Sequence, residues 1–269
     1  MDTEYIVVSD LDGTLLDHHS YDWREASPAL ELLRLKQIPV VLCSSKTIAE
    51  IMPIREALGL SAPFIVENGG AVYLPEPGQD TKNLDKVEFG MNRAEILERL
   101  DVLATAPDMK NLGFTGFSEM TVADVINVTG LDPANAANAL QREYTEPLLW
   151  QDSEESKQRF LKQVRKAGLD AVEGGRFLHI SAGCNKGKAV NYLRKFYEKR
   201  KGVTHKLIAL GDSENDISML ELADLPVLVR SPVKDFPRIR HDRVYRTTAL
   251  GPAGWNEAIL KLLKQEDIE

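Results

Sequence analysis

The sequence predicts a doubly wound parallel α/β sheet interrupted by an α+β insertion. Three observations carry this. Short apolar runs at residues 5–8, 38–43, 64–66, 206–210 and 225–229 have the length of buried strands and alternate with helical patterns. The polar residues of these runs collect at their C-terminal ends, where open α/β sheets bind ligands. From about residue 75 to residue 180 the alternation gives way to helices mixed with short polar strands. The expected division is a Rossmann-like core of residues 1–82 and 183–269 with an inserted cap of residues 83–182.

The elements follow in order. The strand at 5–8 runs into Asp10-Leu11-Asp12-Gly13-Thr14, and residues 17–25 form a polar, aromatic loop. Ser27 before Pro28 predicts a helix N-cap with proline at the first helical position, and Ala26 or Ala29, Leu30 and Leu33 supply its apolar face. The strand at 38–43 leads to Ser44-Ser45-Lys46-Thr47. Thr47 and Glu50 have capping-box spacing, Gly59 marks the helix end, and Pro53 kinks that helix or lies near its start. Residues 64–66 are a third strand, and a turn at Glu67-Asn68-Gly69-Gly70 leads to a short strand at 71–74. Pro75, Pro77, Gly78 and Asp80 mark a linker.

In the insert, 92–104 is helical with Ile96, Leu97, Leu100 and Leu103 on one stripe. A strand and turn at 110–117, helices at 120–129 and 134–142, and a strand at 145–150 follow. A helix at 154–167 is closed by Gly168, and 169–172 with 176–180 form a hairpin around Gly174-Gly175. The α/β pattern then resumes. A helix opened by Asn185 and Lys186 buries Ala189, Val190, Leu193 and Phe196 and ends near Gly202. The strand at 206–210 ends at Gly211-Asp212, and a helix runs through Ile217, Leu220 and Ala223. After the strand at 225–229 comes a final helix at 255–264 with Trp255, Ile259, Leu262 and Leu263 inward.

Composition bounds the function. With 43% hydrophobic and 28% charged residues, the 269-residue chain is an ordinary globular protein. A net charge of -8 argues against nucleic acid or an anionic membrane as partner. No apolar run reaches a membrane span, and no signal peptide is visible. Cys43 and Cys184 stand outside any CxxC pair, which disfavours zinc and a disulfide framework. A cytoplasmic enzyme, monomeric or a weak homodimer, acting on a small molecule is expected.

Four polar ends make chemical sense together. Placing the strands at 5–8 and 206–210 side by side brings Asp10, Asp12 and Asp212 near one another, and three carboxylates call for a hard divalent cation, most simply Mg²⁺. Ser44 and Lys186 stand near helix N-termini, which attract anions. A lysine there opposes the helix dipole unless an anion compensates it, which points to phosphate. Taken singly, Asp10 and Asp12 also suit a solvated turn, Asp212 and Asp216 a helix start, and Ser44 and Lys186 a turn and a surface. His18 and His19 read as loop residues with no metal-ligand spacing.

Asp10-Leu11-Asp12-Gly13-Thr14, Ser44, Lys186-Gly187 and Gly211-Asp212-Ser213-Glu214-Asn215-Asp216 resemble the four motifs of the haloacid dehalogenase-like phosphatases. The string GDSENDISML, the Glu67-Asn68-Gly69 turn and the position of the insert resemble the Cof-type members. More narrowly, CSSKT, the stretch from Arg142 to Pro147 ending in Trp150, Arg176-Phe177-Leu178-His179, and Gly251 to Trp255 resemble the mannosyl-3-phosphoglycerate phosphatase family.

That resemblance implies Mg²⁺-dependent hydrolysis of mannosyl-3-phosphoglycerate through an aspartyl-phosphate on Asp10. It implies Asp10, the backbone carbonyl of Asp12, and Asp212 as metal ligands, with Asp216 holding a metal-bound water or supporting Lys186. Asp12 would be acid and then base, and Ser44 and Lys186 would bind the phosphoryl oxygens. Lys46, Asn68 and Asn215 are expected at the substrate. In the cap, Arg142 is expected at the substrate carboxylate, and Glu143, Glu146 and His179 at sugar hydroxyls. A broad-specificity sugar-phosphate phosphatase is the alternative. A non-catalytic sugar-phosphate-binding regulator ranks last, because both Asp10 and Asp12 are present.

Overall fold

Strand β1 (Glu4–Ser9) lies inside an eight-stranded sheet, with the two halves of the chain on either side of it. The computed structural model describes residues 4–75, 84–105, 109, 112–174 and 176–266. The predicted linker residues Pro77, Gly78 and Asp80, the strand start at Lys110, and the hairpin residue Gly175 lie outside them.

The first stretch runs β1, α1 (Ser27–Leu35), β2 (Val40–Cys43), α2 (Ile48–Ala57), β3 (Phe64–Val66), β4 (Ala71–Leu74) and β5 (Asp85–Glu88). Next come α3 (Arg93–Ala104), β6 (Phe114–Gly116), α4 (Val122–Thr129), α5 (Pro133–Ala139), β7 (Glu146–Trp150), α6 (Glu154–Lys166), β8 (Asp170–Gly174) and β9 (Phe177–Ser181). The chain then returns through α7 (Lys186–Lys201), β10 (His205–Gly211), α8 (Ile217–Leu220), β11 (Leu225–Arg230), β12 (Tyr245–Leu250) and α9 (Gly251–Glu266). The large sheet has the order β12-β11-β10-β1-β2-β3-β4-β5, parallel from β12 to β3 and antiparallel from β3 to β5. The second sheet, β6-β7-β9-β8, is antiparallel. The fold is α/β with a parallel-sheet core, as the alternation predicts.

Both faces of the large sheet are covered, which is why its strands read as continuous apolar runs. Leu33 of α1, Ile51 of α2 and Trp255 and Ile259 of α9 pack on one face. Ala189, Val190 and Leu193 of α7 with Met219 and Leu220 of α8 pack on the other. In the second sheet, Leu178 and Ile180 of β9 pack against Ile96 of α3 and against Phe160 and Val164 of α6. The period of two turns Phe177 and His179 to the opposite face.

Several elements differ from expectation. Ser27 is not the cap of α1: a 3-10 turn at Arg24–Ala26 runs straight into the helix, so the chain enters already helical and the preceding residue makes no side-chain cap. The helix expected to reach Arg142 stops at Ala139, and the one expected to reach Ala223 is α8, four residues long. There Asp224 ties the chain back to β10, exchanging hydrogen bonds with Leu207 at 2.8 and 3.0 Å. Edge strands β5 and β12 were not foreseen, because they are polar and carry no apolar run. Strand β5 pairs with β4, so residues 85–88 extend the large sheet rather than open the insert. The Thr47–Glu50 capping box is present, and Gly59 has φ +62°.

The tip of β1 is held from behind. Trp255 is fully buried, and its Nε1 donates to Ser9 Oγ at 3.0 Å, which in turn donates to the Asp10 carbonyl at 2.6 Å. Trp255→Ala is expected to cost about 3–5 kcal/mol through the cavity. Trp255→Phe should cost about 1–2 kcal/mol, mainly through the lost hydrogen bond. Urea denaturation of both variants checks this; a Trp255→Ala protein as stable as the parent would contradict it.

Candidate active site

The large sheet reverses its winding between β1 and β10, and a crevice opens beyond the C-terminal ends of such a pair. Asp10 follows β1, with its N–H donating to the Leu210 carbonyl at 2.9 Å, and Asp212 follows β10. Gly13 turns the chain away at φ +78°, and a Cβ there would meet Asp212 Oδ2 at 3.0 Å, so a side chain is excluded by conformation and by space. Asp216 ends a 3-10 turn, Glu214–Asp216, and its Oδ2 accepts the N–H groups of Asp212 and Ser213, both at 3.0 Å. Lys186, the first residue of α7, places Nζ 2.7 Å from Asp10 Oδ1 and 2.6 Å from Asp216 Oδ1. Gly187 lets α7 approach this closely, since a Cβ would fall 2.3 Å from the Ser218 carbonyl.

Oxygens of Asp10, Asp212 and Asp216 lie within 4.8 Å of one another, all three residues buried. Burial, then the Asp216 carboxylate, pushes Asp10 up to about 8 against the pull of Lys186. Burial and Asp216 raise Asp212 as well. Burial alone would lower Lys186; Asp10 and Asp216 overcome it and hold the ammonium above its ordinary value. The anion that offsets the helix dipole at Lys186 is therefore supplied by the protein's own carboxylates. Three crowded acids facing one ammonium leave excess negative charge, and an oxygen-lined pocket of this kind suits a hard divalent cation. Asp216 has both oxygens engaged, so its first task is to support Lys186 and the Asp212 turn.

The expected third carboxylate, Asp12, turns elsewhere. Its Oδ2 sits 3.0 Å from Lys46 Nζ, its Oδ1 is buried with no hydrogen-bond partner, and Asp216 takes its place in the cluster. Burial would lower Lys46, but Asp12 and Glu50 raise it. Ser44 lies behind the wall, its Oγ accepting the Lys46 N–H at 3.2 Å. Asn68, at φ +58°, accepts from Asn215 Nδ2 at 3.0 Å, leaving Asn68 Nδ2 and Asn215 Oδ1 buried without a hydrogen-bond partner.

A cavity of about 150 Å³ connects these groups with the second sheet. Asp10, Asp12, Lys46, Asp212 and Asn215 line its floor, and Arg142 and His179 its far side. Arg142 is clamped: Nε donates to Thr145 Oγ1 at 3.0 Å, Nη1 to the Ala139 carbonyl at 3.3 Å, and Nη2 to the Ser45 carbonyl. Three of its five N–H groups are thus engaged in joining residues 139–145 to the Ser45 loop, which is a structural role besides any at the substrate carboxylate. Glu143 does not reach the cavity; its half-exposed side chain pairs with Lys86 at 3.1 Å. Glu146 is fully buried under Arg93 and the Ser118 N–H, a structural role. The helix expected to reach Arg142 ends at Ala139, which takes Arg142 out of helical register.

Sequence reading missed Tyr21, Phe117, Phe177, Lys234 and Arg176, all of which line the cavity. Lys234 sits 3.5 Å from Asp212 Oδ2. His18, read as an ordinary loop residue, also lines it. Only Arg176 and Phe177 carried a signal, as neighbours of His179 in one strand.

Burial, then the positive charge of Arg142, lowers His179 to about 3. The native state keeps it neutral while the unfolded chain binds a proton below about 6.5. Its contribution is therefore complete above pH 6.5 and is lost as pH falls toward 3, with a slope of at most about 1.4 kcal/mol per pH unit. His179→Gln should flatten the stability profile between pH 6 and pH 4; an unchanged slope in urea titrations would contradict this.

The family model of the haloacid dehalogenase-like hydrolases matches residues 7–103 and 126–234. Among solved structures, Thermoplasma acidophilum protein 0175 superposes with a TM-score of 0.67 at 18% identity, covering 100% of each chain. The sucrose-phosphatase of Synechocystis, solved with sucrose and phosphate, gives 0.63 at 16% identity over 99% of each chain. A haloacid dehalogenase-like hydrolase from B. subtilis gives 0.64 at 19% identity, covering 96% of this chain and 98% of that one. At these identities the structures show a shared fold, whereas the family match spans most of the chain and includes Asp10, Asp12, Lys186 and Asp212. The chain belongs to the haloacid dehalogenase-like hydrolase family.

Proposed function

We propose that the protein is a phosphatase that hydrolyses mannosyl-3-phosphoglycerate to mannosylglycerate and phosphate, with the inserted unit acting as a specificity cap. The observation that carries this reading is the buried Asp10, paired with Lys186, at the floor of a cavity whose far wall belongs to the second sheet. A buried carboxylate at the switch point, free of its proton, is a nucleophile. Its attack on phosphorus gives an aspartyl-phosphate and expels the glycerate oxygen. Asp12, protonated on the Oδ1 that has no partner, gives that proton to the leaving oxygen; it then takes a proton from the water that attacks phosphorus and breaks the Asp10–phosphorus bond, releasing phosphate. Lys186 holds the phosphoryl oxygens, while Ser44, behind the wall, braces the Lys46 backbone.

The buried acids fit Mg²⁺, which Asp10 and Asp212, with the backbone carbonyl of Asp12 as the resemblance implies, would hold. Bound there, it supplies the positive charge that lets a carboxylate approach a phosphate dianion. Phe117, Phe177 and Tyr21 beside His179 and Asn215 offer the mix of apolar faces and hydrogen-bonding groups that a sugar ring presents. The sucrose-phosphatase and a sugar phosphatase among the similar folds make a phosphorylated sugar the favoured class. The CSSKT string and the segment from Arg176 to His179 favour the glycosyl phosphoglycerate within it.

Phosphate release from mannosyl-3-phosphoglycerate, glucosyl-3-phosphoglycerate and hexose phosphates tests the substrate. A clear preference for the glycosyl phosphoglycerates is expected; broad, weak hexose phosphatase activity would replace that substrate with the broad-specificity alternative. Asp10→Asn should lower kcat by at least about 10³-fold with the fold intact by circular dichroism. Chelation should abolish turnover and Mg²⁺ should restore it. Full activity in Asp10→Asn would overturn the mechanism.

A further inference from the structure

We propose that Arg176, at the turn between β8 and β9, binds a second negative group on the substrate, a carboxylate two carbons from the phosphorylated one. The inference rests on the phosphatase reading above and moves the anion-binding role from Arg142 to Arg176.

Cations in and behind the cavity differ in what already neutralises them. Lys46 faces Asp12 at 3.0 Å, Lys186 faces Asp10 at 2.7 Å and Lys234 faces Asp212 at 3.5 Å. Arg142 has Glu67 at 3.7 Å and Glu50 at 4.0 Å, besides its three hydrogen bonds. Among the described residues, Arg176 is the cavity cation shown with no carboxylate partner. Its contacts are to carbonyls: Nη1 donates to Val128 at 2.8 Å and to Thr129 at 3.3 Å, the last two residues of α4. A guanidinium at a helix C-terminus is held there by the dipole. Among the described residues one nitrogen makes this tether and Nε and Nη2 have no partner, and two parallel N–H donors match a carboxylate.

Placement supports the same role. The guanidinium lines the cavity with Phe117 and Phe177, whose rings meet edge to face at 5.0 Å. Arg176 itself is exposed, so water screens an ion pair made there and a bidentate fit must carry the selectivity. His18 and Tyr21 of the loop after β1 line the same cavity from the core side. Phosphate at Asp10 and a carboxylate at Arg176 would place the two charges of the substrate on the two units of the protein.

The test compares 3-phosphoglycerate with glycerol 3-phosphate, which lacks the carboxylate, in wild type, Arg176→Gln and Arg176→Lys. Wild type should prefer 3-phosphoglycerate. Arg176→Gln should lower its kcat/KM about 10–100-fold, mainly through KM, with glycerol 3-phosphate changed by less than about 3-fold. Arg176→Lys should recover part of the preference. Parallel loss on both substrates would assign Arg176 to holding α4 alone, and an unchanged ratio would leave it no role; either result overturns the inference. No hydrolysis of either phosphate, or of mannosyl-3-phosphoglycerate, by wild type would instead overturn the phosphatase reading. Preference for mannosyl-3-phosphoglycerate over 3-phosphoglycerate tests the sugar independently of Arg176.

Discussion

Lys186 between Asp10 and Asp216 is the interaction on which the site depends. An ammonium fully removed from water is costly, and so are the two carboxylates; together they become tolerable because Lys186 bonds one oxygen of each, and the other oxygen of Asp216 takes two backbone N–H groups. The arrangement requires three separate pieces of chain to meet: the tip of β1, the first turn of α7 and the 3-10 turn after β10. Parallel pairing of β1 with β10 brings the first and third together, and Gly187 lets the second close in. Trp255, reaching through Ser9, steadies the Asp10 backbone from the opposite face of the sheet. The cluster still carries more acid than base, so the fold keeps a concentrated negative charge that a cation or a proton must relieve.

A second set of contacts joins the inserted unit to this centre. Glu67, almost fully buried at φ +46°, accepts the N–H groups of Glu143 at 2.8 Å and Tyr144 at 3.1 Å and the Thr145 hydroxyl at 2.7 Å. Thr145 in turn receives Arg142, and Arg142 reaches the Ser45 carbonyl beside Ser44 and Lys46. The turn after β3 therefore ties the insert to the loop that presents Ser44 and Lys46. Two consecutive non-glycine residues at positive φ are costly, and they persist here because a buried hydrogen-bond network over-determines them.

Much of this was legible before any coordinates. The apolar runs locate nearly every parallel strand, because strands covered on both faces must be apolar throughout. The edges were not legible, since β5 and β12 bury little. In the site, Asp10, Lys186, Asp212 and Asp216 stand at element ends in recognisable strings, and they meet. The stretch around Arg142 was less legible, because the helix expected to reach it ends at Ala139, after which the backbone follows Glu67 rather than helical periodicity. Lys234 and Tyr21 lie in loops with no local pattern, so no sequence signal could place them against Asp212 or the cavity.

The sequence by itself determined which strands are buried, where glycine must turn the chain, and which carboxylates lie beyond strand ends, because these follow from local periodicity and backbone sterics. Only the tertiary structure decided which acid joins the cluster, which cations are already neutralised, and which arginine remains open. Charge partnership depends on distances between residues far apart in the chain, and burial changes the strength of every such pair; neither is written in the spacing of residues along it.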